Sequence, residues 1–281
     1  MTAAPRHDPG PAFHGLHRPG EPFVLANAWD VGSARMLAAL GAKALATSSA
    51  AHAFTLGRPD GSVTRDEALA HAADLVAATP LPVSGDFEDG WASDPDGVAE
   101  TVRLAAEAGL AGLSIEDVRE VDGTGGTPYP RAEAVERVRA GVAAARALSR
   151  DIVFCARADG VMTGAYDLDE GIARLRAFEA AGADCLYLPL PPDMDGLRRV
   201  VSSVSAPVNA LAAGPFTAVS LAEFAAAGVA RVSLGSALAR ATHRVVADAA
   251  RAMFGDGDFG ALARSIGGDE VDALLARGRR D

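Results

Sequence analysis

The chain is 281 residues long, 49% apolar and only 5% aromatic, with a formal net charge of −11. That length and apolar content suffice for one large domain with a substantial core, and the acidic balance argues against a nucleic-acid partner or an anionic membrane surface. No apolar run approaches the ~18 residues of a membrane span, and the N-terminus lacks the apolar core of a signal peptide. Two cysteines without a CxxC spacing point to a reducing cytoplasm rather than a disulfide framework.

Residues 1–21 are rich in Pro, Gly and His and read as a loose leader, with His7, His14 and His17 facing solvent. From residue 22 to 281 the chain reads as a single domain in which short apolar strands alternate with Ala-rich helices. Strands are predicted near 23–28, 43–48, 82–88, 111–116, 152–158, 184–190, 207–211 and 230–235. Helices fill the gaps, including one near 217–227, and a further helix near 258–277 closes the chain. The phrases LGAKAL, AGLAGL, AGADCL and AGVARV recur between helix and strand, where glycine ends a helix in the left-handed conformation. Eight such units predict an α/β fold, a (β/α)8 barrel with an extra C-terminal helix. A doubly wound sheet is the rival, but no GxGxxG follows the first strand.

Such a barrel carries its chemistry at the C-terminal ends of the strands. Two successive ends are acidic: Asp86 and Glu88 in VSGDFEDGW, then Glu116 and Asp117 in GLSIEDV. Strand alternation points Asp86 and Glu88 the same way. Carboxylates gathered there repel unless a cation sits between them, and oxygen ligands suit Mg2+ or Mn2+. The other ends supply Asn27, Trp29 and Asp30; Thr47, Ser48 and Ser49; Arg157 and Asp159; Pro189; Asn209; and Gly235 with Ser236. Arg157 is either a fork for a substrate carboxylate or a structural partner of Glu116 or Asp159. Ser48 and Ser49 either cap the next turn or cradle an anion. Trp29 joins the candidate substrate contacts. His52, in a predicted loop over 49–64, and Tyr129, in a Gly- and Pro-rich loop over 118–130, are the acid/base candidates. The second loop reads as a mobile cover. Cys155 reads as a core thiol.

The order NAWD, TSSAAHAFTLGRPDG, GDFEDGW, SIEDV, CARAD and VNAL resembles the isocitrate lyase/phosphoenolpyruvate mutase superfamily over about residues 22–254. The resemblance implies a Mg2+-dependent barrel that makes or breaks C–C or P–C bonds beside a 2-oxo acid through a pyruvate enolate. It also implies a homo-oligomer, a tetramer or dimer that exchanges its last helices, acting on a small carboxylate substrate. By the same resemblance Asp86 and Glu88 are the metal-binding pair, Glu116 is the next acid, and Asp60 of LGRPDG supports the metal's water shell. Ser48, Ser49 and Arg157 would hold the substrate carboxylate or phosphonate, and Asn209 would line the pocket. The chain departs from the family on the loop after the fourth strand, VREVDGTGGTPYP, which lacks the Lys-Lys/Arg-Cys-Gly-His motif of the isocitrate and methylisocitrate lyases and the Lys of the mutases. Pro189 stands where relatives place Glu or His. The expected activity is therefore a Mg2+-dependent lyase or decarboxylase cleaving a C–C bond beside a 2-oxo or 2-hydroxy carboxylate, other than those two lyases. A P–C mutase or hydrolase for a phosphonopyruvate-like substrate, and a non-catalytic metal- and carboxylate-binding relative, remain as alternatives.

Overall fold

Every predicted strand is present in the computed structural model, which describes residues 8–119 and 126–280. In chain order the strands are β1 (Phe23–Asn27), β2 (Ala44–Ala46), β3 (Val83–Asp86), β4 (Gly112–Glu116), β5 (Val118–Arg119), β6 (Thr127–Pro128), β7 (Val153–Arg157), β8 (Cys185–Tyr187), β9 (Val208–Leu211) and β10 (Arg231–Ser233). Eight of them close into a parallel barrel in the order β1-β10-β9-β8-β7-β4-β3-β2. The remaining two, β5 and β6, form a small antiparallel ribbon at the foot of the loop that follows β4. This is the (β/α)8 barrel expected from the alternating pattern.

The local chemistry explains the alternation. Barrel strands are covered on both faces, so short runs such as VFCAR and ALA are apolar almost throughout. Gly41, Gly109, Gly182 and Gly228 lie at φ between +83° and +102°, the left-handed turn from helix into strand read from the repeated phrases. Asp30, Asp94, Asp167 and Asp193 each accept an amide at a helix start, while Thr64 and Ser220 form capping boxes. The main core lies between strands and helices, where Leu45, Leu75, Phe87, Val102, Leu113, Phe154 and Phe178 are fully buried or nearly so.

Four stretches differ from expectation. Ser49–Thr55 is a helix rather than part of a long loop, because Ser48 caps a run of good helix formers. The predicted 217–227 helix is a short 3-10 turn, Gly214–Ala218, followed by helix Leu221–Ala226, since Ser220 starts the second piece. The last helix is divided into a 3-10 turn, Gly260–Arg264, and helix Gly268–Arg277, with Gly267 and Gly268 between them. The expected loose leader is, over residues 8–20, part of the barrel's floor.

That floor starts with a one-turn helix, Gly10–His14, which drives Phe13 into the N-terminal end of the barrel against Phe23, Leu25 and Val153. Gly112 permits the approach: a Cβ there would lie 2.7 Å from the Phe13 ring. His17, expected in solvent, is 8% exposed. Its Nδ1–H donates to the Phe13 carbonyl at 2.9 Å, which leaves Nε2 to accept from the Arg231 guanidinium at 3.2 Å. Burial, reinforced by Arg231, lowers its pKa from 6.5 to about 3. The unfolded chain therefore takes up a proton below pH 6.5 that the fold refuses until about pH 3. The stability that follows is complete above pH 6.5 and lost as pH falls through that window. Between pH 7 and pH 5 this one ring is expected to cost on the order of 2 kcal/mol. Urea denaturation at the two pH values should show a shallower loss in His17→Gln, and an unchanged loss would remove His17 as its source.

Among the described residues no helix is long and apolar enough to cross a membrane. The long helix Ala237–Gly255 leaves Val245 and Val246 66% and Phe254 86% exposed.

Candidate active site

The C-terminal ends of β3, β4 and β7 bring a cluster of charges together because the strands are in register. Asp86 lies opposite Ser114, and Glu116 opposite Arg157. Arg157 Nη1 contacts Glu116 Oε1 at 2.6 Å and Asp86 Oδ1 at 3.3 Å, while its Nε contacts Asp159 Oδ1 at 2.6 Å. All four side chains are less than one-fifth exposed. The second residue of each acidic pair behaves differently from the first. Asp117 points to the opposite side of β4 from Glu116, where its carboxylate accepts from Arg174 at 2.9 Å, Tyr166 at 2.7 Å and the Asp159 amide at 2.8 Å. Glu88 lies beyond the end of β3 at φ +42°, with its carbonyl accepting from the Glu116 amide at 2.7 Å. Alternation along one strand therefore does not align Glu88 with Asp86; a turn brings it to the same cleft.

That cleft has a volume of about 370 Å3, and Asp60, Asp86, Glu88, Asp89, Glu116 and Asp159 line it along with two arginines, Arg157 and Arg240. Burial, and then the Asp86 charge, raise the Asp60 carboxyl above its ordinary value. Burial pushes Glu116 well above its ordinary value; Arg157 opposes this, and Asp159, Asp86 and Glu88 add to it. For Arg157 the cost of burial is outweighed by Asp159 and Glu116, which hold the guanidinium firmly protonated. One guanidinium cannot neutralise three carboxylates in a dry site. The cluster retains a proton or takes up further positive charge.

Ser49 holds an acidic group and Ser48 caps a helix. Ser49 donates its amide at 3.0 Å and its hydroxyl at 3.2 Å to Asp86 Oδ2. Ser48 Oγ accepts the Ala51 amide as the helix cap. Both still line the cleft. Thr47 Oγ1 accepts the Asp86 amide at 2.8 Å, so Asp86 is fixed at backbone and side chain alike.

Four expected site residues lie outside the cleft lining, one of them, Asn209, in a hollow shared with Asp86 and Arg157. His52 sits on a helix with its ring stacked on His71 at 3.8 Å, and burial holds its pKa below the ordinary value. Tyr129 is 3% exposed; its hydroxyl donates to Asp89 Oδ2 at 2.6 Å, and the Arg137 guanidinium lies 4.1 Å from its ring. It anchors the foot of the loop instead of facing the cleft, and residues 120–125 of the expected cover fall outside the described residues. Asn209 is fully buried inside the barrel, donating to Ser233 at 2.9 Å and accepting from Arg231 at 2.8 Å. Trp29 does not line the cleft; its amide donates to Ser33 Oγ where the next helix starts. Tyr129 and Asn209 spend their polar side-chain atoms on these partners, whereas the buried Nδ1 of His52 has no hydrogen-bond partner among the described residues.

Two lining residues were not picked out from sequence. Tyr187 underlies Arg157, the guanidinium 5.0 Å from its ring. The register Arg157↔Tyr187 was the available signal. Arg240 projects from the helix after β10, and a helix start gave no cue to it. A larger groove of about 770 Å3 lies at the other end of the barrel. Its arginines are committed to helix ends, Arg150 to the Ala106 and Leu110 carbonyls and Arg280 to Val76 and Ala78. Nothing there gathers reactive groups as the cleft does.

Among the described residues no three His, Cys, Asp or Glu side chains are placed to ligate one ion together. Mg2+ does not require that: it commonly takes one or two carboxylates and keeps several waters. Buried, oxygen-only and negative in excess, the cleft fits a cation of that kind.

Comparison with known proteins agrees with this architecture. The phosphoenolpyruvate phosphomutase family model matches residues 13–254. A Burkholderia cenocepacia J2315 protein described as a lyase/mutase superposes with a TM-score of 0.90 at 46% identity, covering 95% of each chain. The 2-methylisocitrate lyase of Salmonella typhimurium is 30% identical over 73% of this chain and 70% of its own. The oxaloacetate decarboxylase of Paraburkholderia xenovorans is 34% identical over 66% of this chain and 62% of its own. With the match spanning nearly the whole barrel, the chain belongs to the phosphoenolpyruvate phosphomutase family, within the isocitrate lyase/PEP mutase superfamily.

Proposed function

We propose that the protein is a Mg2+- or Mn2+-dependent lyase or decarboxylase that cleaves a C–C bond beside a 2-oxo or 2-hydroxy carboxylate through an enolate. The observation that carries this reading is the ratio of charges at the strand ends: Asp86, Glu116 and Asp159 surround the single guanidinium of Arg157. Three carboxylates around one guanidinium leave negative charge in excess, which favours a bound cation. Similarity to 2-methylisocitrate lyase and oxaloacetate decarboxylase supports the reaction class.

In this reading Asp86 would hold the cation directly, and Glu88, Glu116 and Asp60 would support it through water. The cation, when bound, supplies Lewis-acid stabilisation of the oxygen on which negative charge develops. The chain's own groups do the rest. Ser49 and Thr47 hold Asp86 in place. Arg157 is the fork for the substrate carboxylate, a group that guanidinium meets with two parallel N–H donors. Tyr187 supports the guanidinium plane from below.

The test combines calorimetric titration with Mg2+ and Mn2+, alone and with oxalate, and pyruvate release from oxaloacetate, malate derivatives and phosphonopyruvate. Heat with oxalate only when metal is present, and metal-dependent pyruvate from a carbon acid, are the expected results. No heat under any condition would remove the metal site and the reading with it.

A further inference from the structure

The two arginines of the cleft are in opposite electrostatic situations. Arg157 is surrounded by three carboxylates, whereas Arg240 makes no ion pair with any described residue, and its amide bond to Ser236 is an ordinary helical one. On the same helix Arg244 pairs with Asp248, and on the helix Met194–Ser202 Arg198 pairs with Asp195. Arg240 instead stands over the cleft, one turn beyond Ser236, or about 6 Å along the helix axis. The rim between the two arginines has its own character. Passing from β7 around to β10, the wall carries Leu190, Leu211 and Leu234 in place of carboxylates. Leu190 is held at φ +47°, a backbone conformation that a branched side chain rarely adopts.

A pocket with a charged head, an apolar wall and an unpaired cation at its far edge is built for a ligand of matching order. We propose that Arg240 is a specificity-determining residue of this cleft: it binds the distal carboxylate of a diacid substrate whose carbon spacer lies along Leu190, Leu211 and Leu234. This rests on the reading of the head-group site given above and names the side chain that selects the other end of the substrate. Guanidinium is suited to the task because it meets a carboxylate with two parallel N–H donors and stays charged at every working pH.

The experiment measures binding in the presence of Mg2+ by calorimetry. Oxalate serves as the probe of the head site alone. Three diacids are each compared with a monoacid of equal length: malate with 2-hydroxybutyrate, 2-oxoglutarate with 2-oxopentanoate, and 2-oxoadipate with 2-oxohexanoate. At least one diacid is expected to bind about tenfold or more tightly than its monoacid. Arg240→Gln should erase that advantage while leaving oxalate affinity within about twofold, and Arg244→Gln, a nearby exposed arginine, should change neither. The proposal is overturned if oxalate binds and no diacid is preferred, if the preference survives in Arg240→Gln, or if oxalate weakens by the same factor. Failure of oxalate to bind the unaltered protein would instead overturn the head-site reading on which it stands.

Discussion

Asp86→Ala is expected to lower Mg2+-dependent turnover by a factor of roughly 10³, the scale of losing the main electrostatic support of a developing oxyanion. The argument is positional. Asp86 is the carboxylate whose two oxygens face different neighbours, one held by Ser49 at 3.0 Å and the other 3.3 Å from Arg157. Thr47 fixes its backbone as well. Removing it takes away the ligand and leaves Arg157 paired with Glu116 and Asp159, which already suffice to hold it. Folding stability is therefore expected to change by no more than ~1 kcal/mol, since a crowded negative charge is being relieved. Steady-state pyruvate release and the heat of Mg2+ binding are measured on the same sample. A variant that kept a tenth of the turnover, with its metal affinity intact, would show that Asp86 does not hold the cation.

Asp117→Ala is expected to have the opposite profile, destabilising the fold by about 3–5 kcal/mol, because it leaves a buried guanidinium without its partner. Arg174 is 6% exposed and contacts Asp117 at 2.9 Å; Tyr166 and the Asp159 amide depend on the same carboxylate. Glu170 remains beside Arg174 Nε at 2.9 Å and tempers the loss without replacing the missing acceptor. Replacing both charges, as Asp117→Leu with Arg174→Met, is expected to recover much of the stability. Urea denaturation at pH 7 reads the difference directly. A loss below about 1 kcal/mol would mean that the pair contributes nothing net.

Much of this architecture was legible in the sequence, and the reasons are specific. The barrel was readable because β7 and β8 are apolar on both faces and because Gly41, Gly109, Gly182 and Gly228 mark the turns into β2, β4, β8 and β10. The acidic cleft was readable because Asp86 and Glu116 end adjacent strands, although Asp117, one residue further on, serves the fold instead. Asn209 and Tyr129 misled because their polar atoms are claimed by Arg231 and Asp89, contacts between residues 22 and 40 positions apart. His52 misled because its helix replaced the predicted loop. The leader misled most: its Pro, Gly and His content concealed Phe13, a single fully buried ring that converts a tail into a plug.

That plug has a consequence for the interior. Phe13, His17 and Phe23 close one end of the barrel with mutually edge-on rings. Beneath the cleft, Asp86, Arg157, Tyr187 and Asn209 border a polar hollow of about 40 Å3, room for about one water. The hollow lies between this plug and the cleft, and a ligand seated in the cleft would cover it. Whatever solvent is enclosed at that moment becomes a fixed neighbour of Asp86 and Arg157, and part of the dielectric in which bond cleavage proceeds.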